Sequence, residues 1–200
     1  MRYKTFLIFG APGSGKGTQG KTLGSIPRFF HCACGDVFRS LDTRTPLGQR
    51  FLEYSSKGQL VPAEVTVKLW EARIKDAVSA HAFKPDIDFL VLDGIPRNVE
   101  QAVIMEDMIE VVRVFHLSIG NYDELSKRLR KRALKDNRLD DANEDVIRKR
   151  LETYVAESRP LLEHYGPELV RKIDANQSPF KVLYDILHII ESESIFIPKI

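Results

Sequence analysis

Cysteine is almost missing from this 200-residue chain, which has two, Cys32 and Cys34. They offer no framework of the kind that staples small secreted domains, so a reducing, cytoplasmic setting is expected. Long apolar runs are missing too. No stretch nears the roughly 20 residues of a membrane-spanning helix. Arg2 and Lys4 precede an apolar run, but that run ends after residue 9, too soon for a secretory leader. Neither sign of charge prevails: 30 Lys and Arg stand against 28 Asp and Glu, a net +2. That balance implies no general attraction to nucleic acid or to a membrane. Internal repeats and low-complexity segments are absent as well. What remains, with 43% hydrophobic residues, suits one compact domain with a sizeable core.

The rest of the chain reads as support for Gly10-Ala11-Pro12-Gly13-Ser14-Gly15-Lys16-Gly17-Thr18-Gln19. The apolar run 6–9 leads into it and a helix-compatible segment follows. Glycines at 10, 13 and 15 let the backbone turn tightly and bring its N–H groups close to an anion, while the helix aims its positive end at the same place. Lys16 adds a cation able to reach outer phosphates. Strand, Gly-x4-Gly-Lys and helix together make a P-loop. One detail departs from the strict pattern: Gly17 follows Lys16, and the hydroxyl is delayed to Thr18. Another group must therefore position a metal. Asp93 fits that need, since it ends the apolar run 89–92 and a carboxylate at the carboxyl end of a buried strand can hold Mg²⁺ or its waters.

Strands are expected at 4–9, 29–33, 89–92, 111–117 and 169–173. Helices are expected at 15–24, 36–42, 46–57, 63–80, 98–109, 121–134, 143–165 and 179–192. Such alternation argues for an α/β fold: a P-loop, doubly wound parallel sheet of about five strands with helices on both faces. The basic stretch 127–132 has no aromatic residue interleaved, so it is not a base-stacking surface. Helical spacing puts Arg128 and Arg132 beside the apolar stripe of Leu125 and Leu129, with Lys127, Arg130 and Lys131 pointing away. The tail 193–200 carries Ile195, Phe196, Ile197 and Ile200, enough apolar surface to favour docking on the body.

The P-loop run resembles the nucleoside monophosphate kinases, most closely the adenylate kinases, and other segments extend the likeness over about residues 4–190. Asp93-Gly94-Ile95-Pro96-Arg97 is similar to that family's Asp-Gly-Phe-Pro-Arg, with Gln101 four residues on. Cys34-Gly35-Asp36-Val37-Phe38-Arg39 resembles its Thr-Gly-Asp-Leu-Leu-Arg, with Cys34 in place of threonine. Gly58-Gln59-Leu60-Val61-Pro62 and Asp174-Ala175-Asn176-Gln177 match further loops. The resemblance implies transfer of phosphate from Mg-ATP to AMP. It places ATP at Gly13, Ser14, Gly15, Lys16, Gly17, Thr18, Arg128 and Gln177. It places AMP at Cys34, Gly35, Arg39, Gln59, Val61, Gly94, Arg97 and Gln101. Lys16, Arg97, Arg132, Arg138 and Arg150 are the implied catalytic residues, and Asp140 and Asp141 the acidic pair that bonds to the arginines.

Five residues separate Arg132 from Arg138, so a short lid (about 132–141) is implied, without a four-cysteine zinc site; the AMP-binding segment is about 35–65. A monomer acting on small nucleotides is expected. A UMP/CMP kinase shares nearly every motif and is the nearest alternative. From another class, a regulatory GTPase is disfavoured because no asparagine is followed by lysine, and a non-catalytic P-loop module is disfavoured by the intact Lys16 and arginine set.

Overall fold

The computed structural model describes residues 2–136 and 143–193. Arg138, Asp140, Asp141 and the apolar tail beyond Glu193 lie outside them. Five parallel strands form one sheet in the order β2-β3-β1-β4-β5. They are β1 (Tyr3–Gly10), β2 (Phe29–Ala33), β3 (Phe89–Asp93), β4 (Ile109–Ser118) and β5 (Val170–Asp174). Between β1 and β3 run α1 (Lys16–Leu23), α2 (Cys34–Arg39), α3 (Pro46–Ser56) and α4 (Ala63–Ser79). Then come α5 (Val99–Met105), α6 (Tyr122–Asp136), α7 (Glu144–Thr153), a π-turn (Tyr154–Ser158), α8 (Leu161–Leu169) and α9 (Pro179–Ser192).

The central strands read as unbroken apolar runs because each face of the sheet is covered. Leu7, Phe9, Leu90 and Leu92 point to one side, against Val67, Trp70 and Ile74 of α4, Ala102 and Met105 of α5 and Leu161 of α8. Phe6, Ile8, Phe89 and Val91 point to the other, against Leu23 of α1 and Val182, Ile186 and Ile190 of α9. On that side Phe6 meets Phe89, Phe115 and Phe29 with ring centroids 5.1, 5.6 and 5.9 Å away. Each such buried ring contributes about 1.5–3 kcal/mol. A third, smaller cluster of Ala11, Leu125, Leu129, Ile147 and Leu151 fastens α6 and α7 to the P-loop.

Two expected elements differ. The stretch 143–165 is not one helix: α7 stops at Thr153, the π-turn follows, and α8 starts anew after Pro160. Proline cannot donate to the helical ladder and crowds the turn before it. Gly166, at φ 70, and Pro167 then interrupt α8 where the sequence suggested an end. The helix expected at 36–42 is displaced as well: α2 runs from Cys34 to Arg39, behind the extended Ala33. Both cysteines are free and lie in the same core cluster. No helix among the described residues is long and apolar enough to cross a membrane.

Candidate functional site

The P-loop closes over the carboxyl end of the sheet. Gly10 and Gly13, at φ 148 and 86, stand where a side chain has no room: a Cβ would lie 2.5 Å from the Leu117 carbonyl oxygen and 3.0 Å from that of Leu125. Lys16 starts α1 and folds back, its Nζ donating to the carbonyls of Gly10 (2.7 Å) and Ala11 (3.0 Å). Burial pulls the ammonium pKa down; Asp93 opposes this and Arg97, Arg132 and Arg150 add to it, leaving it at about 8. Three arginines from three segments thus converge electrostatically on one lysine, with one carboxylate among them. That is a well for multiple negative charge.

Asp93, at the end of β3, lies across from the first turn of α1, where a Cβ on Gly17 would be 3.4 Å from its Oδ2. One carboxylate facing a phosphate-binding loop suits Mg²⁺, which keeps several waters and takes one or two protein carboxylates beside nucleotide phosphates.

On one flank, Asn98 caps α5 by accepting from the Gln101 N–H (3.0 Å), and Gln101 Oε1 accepts from the Arg97 N–H (2.7 Å). Gln101 is only 1% exposed, and the Arg97 N–H fixes the orientation of its amide. Arg97 Nε donates to the Gly94 carbonyl at 2.9 Å. Arg39 is ion-paired with Asp36, and it can fold back because Gly35 has no side chain: a Cβ there would lie 3.0 Å from both terminal guanidinium nitrogens. Cys34 is buried, and burial pushes its thiol up to about 11, so it presents a neutral, weakly polar wall.

On the other flank, Arg128 of α6 donates to Glu124 (2.8 Å) and to the Ala175 carbonyl (3.0 Å), and the Gln177 amide bonds to Asp185 of α9. Asn143 caps α7, the helix that carries Arg150, by accepting from the Asp145 N–H at 2.8 Å.

One cavity of about 1000 Å³ joins these parts. Every described site residue expected from the sequence lines it; Arg138, Asp140 and Asp141 lie outside the described residues. A volume at the top of the usual small-molecule range leaves room for more than one ligand. The lining also includes residues that sequence reasoning missed. Lys131 faces the cavity and does not point away; it stands three residues after Arg128, a helical neighbour on the same flank. Thr153, Tyr154 and Ser158 line it too. Thr153 and Tyr154 follow Arg150 at helical spacing, a signal that was present but silent about chemistry.

The adenylate kinase family model matches residues 8–169. The chain is 38% identical to an adenylate kinase of Corynebacterium diphtheriae over 165 residues, covering 82% of this chain and 87% of the relative. It is 36% identical to one from Cyanothece sp. over 192 residues (92% and 94%). A third, from Mycolicibacterium smegmatis, is 39% identical over 171 residues (82% and 86%).

Proposed function

The chain belongs to the adenylate kinase family and is a phosphotransferase, a nucleoside monophosphate kinase, and on that premise we propose that ATP gives its terminal phosphoryl group to AMP in this cleft, yielding two ADP. One observation carries the assignment of roles: the described residues expected to bind donor and acceptor line a single cavity, which Lys16 also lines. Lys16 and the P-loop amides hold the donor phosphates, with Gly13, Ser14, Gly15, Gly17 and Thr18 forming the cradle. Arg128 and Gln177 flank the ATP base. Arg39 and Arg97 grip the acceptor phosphate, while Cys34, Gly35, Gln59, Val61, Gly94 and Gln101 surround the acceptor nucleoside.

Phosphoryl transfer asks a protein for little covalent work; it asks for alignment and for positive charge where negative charge accumulates. Arg132, Arg150 and Arg138 supply that charge around the group in flight. Asp93 would hold Mg²⁺ or its waters, and the ion would supply further positive charge beside the donor oxygens. On this reading the segment 35–65 closes over the nucleotides to exclude water; most of the short lid expected at 132–141 lies outside the described residues. A cytoplasmic monomer is part of the same reading; the two free, buried thiols support its reducing setting. The test is an assay of ADP formation from ATP paired with AMP, UMP or CMP. ADP from ATP and AMP supports the reading; product from CMP or UMP alone moves the acceptor to a pyrimidine.

A further inference from the structure

Beside the P-loop the sheet carries a histidine that no motif accounts for and that is not itself a lining residue of the cavity. His116 of β4 stands in register with Phe9 of β1, one residue before Gly10, and with Lys172 of β5. Its Nε2 lies 3.2 Å from the Tyr154 hydroxyl. Tyr154 opens the π-turn and lines the cleft, four residues after Arg150. We propose that His116 is a positioning residue for phosphoryl transfer: through the Tyr154 hydroxyl it ties the end of α7 to β4, the strand paired with the one that enters the P-loop, and so sets the placement of Arg150 relative to Lys16.

The local structure explains why a tether is needed. A π-turn widens the helix, and here the Arg159 N–H reaches back to the Tyr154 carbonyl at 2.9 Å. Such a ladder fixes the direction of the preceding helix poorly. Two side-chain bonds at consecutive positions compensate. Thr153 donates to the Gly58 carbonyl at 3.2 Å, and Tyr154 meets His116. The electrostatics keep the second bond available. Burial lowers the His116 pKa from 6.5, and Lys172, Arg159 and Lys16 lower it further, so the ring is neutral at pH 7 and retains an acceptor nitrogen. Burial raises the pKa of Tyr154, which therefore keeps its proton to donate.

The inference rests on the phosphoryl transfer proposed above. Its test compares ADP formation from ATP and AMP by the parent, His116→Phe, His116→Gln, Tyr154→Phe and the His116→Phe/Tyr154→Phe double variant, with thermal melts of each. His116→Phe and Tyr154→Phe should each lower kcat about tenfold, as small misplacements of catalytic groups do, with both KM values held within about twofold. The double variant should be no worse than either single one. His116→Gln, whose amide can still reach the phenol oxygen, should recover most of the loss. Tyr154→Phe removes only a hydroxyl, so it decides the matter even if His116→Phe folds poorly. An active parent whose Tyr154→Phe variant keeps full kcat overturns the inference alone. So do losses that multiply in the double variant, or losses that follow melting temperature with Gln no better than Phe. A parent that forms no ADP from ATP and AMP overturns the reading beneath, and this inference with it.

Discussion

The Thr153 hydroxyl donates to the Gly58 carbonyl, 3.2 Å away in a buried setting and 95 residues distant in sequence. Gly58 follows α3 at φ 67, and a Cβ there would lie 3.1 Å from Arg150 Cγ, so the loop rests directly on α7. Thr153→Val keeps the shape and strands the carbonyl. The cost should be about 1–3 kcal/mol, a fall in melting temperature of about 2–4 °C per kcal/mol. Because Gln59 and Val61 follow in the same loop, KM for AMP should rise while KM for ATP holds. A melting curve and an AMP KM both equal to the parent's would show that this bond anchors nothing.

His31 of β2 explains one glycine within α1 and the glycine that caps its end. A Cβ on Gly20 would lie 2.3 Å from His31 Nε2, and one on Gly24 2.5 Å from His31 Cβ. These contacts are not equivalent. The ring can swing away from residue 20, but Cβ moves only with the backbone. Gly24→Ala should therefore cost about 1–3 kcal/mol through overpacking. Gly20→Ala should cost less, since alanine regains up to about 1 kcal/mol of helix propensity. Adding His31→Ala should rescue Gly20→Ala and leave Gly24→Ala damaged. Rescue of both, or of neither, by chemical denaturation would refute the distinction.

The phosphate end of the site was legible because its physics is local. Three glycines, a lysine and an adjoining helix act within ten residues, and Asp93 closes an apolar run that only a covered strand would carry. Arg39, Arg97 and Gln101 were marked only by the resemblance to the family's motifs; their own spacing says nothing of a nucleotide. Illegible were contacts fixed by packing at long range. Nothing near Tyr154 in sequence announces His116, and the apolar periodicity of 143–165 continues straight through Pro160, so the break between α7 and α8 was overlooked. Lys131 was misassigned because residues flanking an apolar stripe can turn either way, and the placement of the cleft decides which.

Glu193 stands between Arg113 of β4 and Arg171 of β5 at the end of α9, with its side chain 21% exposed. Burial would raise its carboxyl pKa, but hydrogen bonds from Arg171 and Arg113 prevail and hold it below the ordinary 4.5. Glu193→Gln leaves two guanidinium groups without their counter-charge and should cost about 1.5–3 kcal/mol near neutral pH. For an acid with a depressed folded pKa, that stabilisation is present above the unfolded value and vanishes as pH falls through the folded one. The gap between parent and Glu193→Gln should thus narrow steadily below about pH 4.5. A gap that is constant from pH 7 to pH 3 would assign the loss to packing.

On the function proposed above, acceptor choice should turn on Gln101 and Cys34. The Gln101 amide, oriented by the Arg97 N–H, presents a donor and a second lone pair, which suits the edge of adenine. The Cys34 thiol contributes little hydrogen bonding. A mismatched base leaves buried polar groups unpaired, which costs more than one weakened bond. AMP should be preferred to UMP and CMP by at least about tenfold in kcat/KM. Gln101→Asn, one methylene shorter, should shrink that preference, and Cys34→Thr should raise AMP use modestly. Equal or better turnover with CMP by the parent would reverse the assignment of the base.

Lys16 should couple nucleotide binding to a proton. Without nucleotide its pKa is about 8, because burial and three arginines outweigh Asp93. Donor phosphates add negative charge beside the ammonium and must raise that value. Above about pH 8 the empty site is partly deprotonated and the occupied one is not, so binding takes up a proton there and affinity for ATP falls as pH rises. Stability moves the opposite way. The folded pKa lies below the ordinary 10.5, so the unfolded chain binds more protons between the two values, and this lysine's contribution to stability rises with pH across that window. Calorimetry with ATP alone at pH 9, in buffers of different ionisation heat, should register the uptake. Lys16→Met should abolish it and lower turnover by at least about a hundredfold, the loss expected for one preorganised charge at a developing transition state. Equal proton uptake by Lys16→Met and the parent would place the titrating group elsewhere. Unchanged turnover in that variant would remove Lys16 from the chemistry.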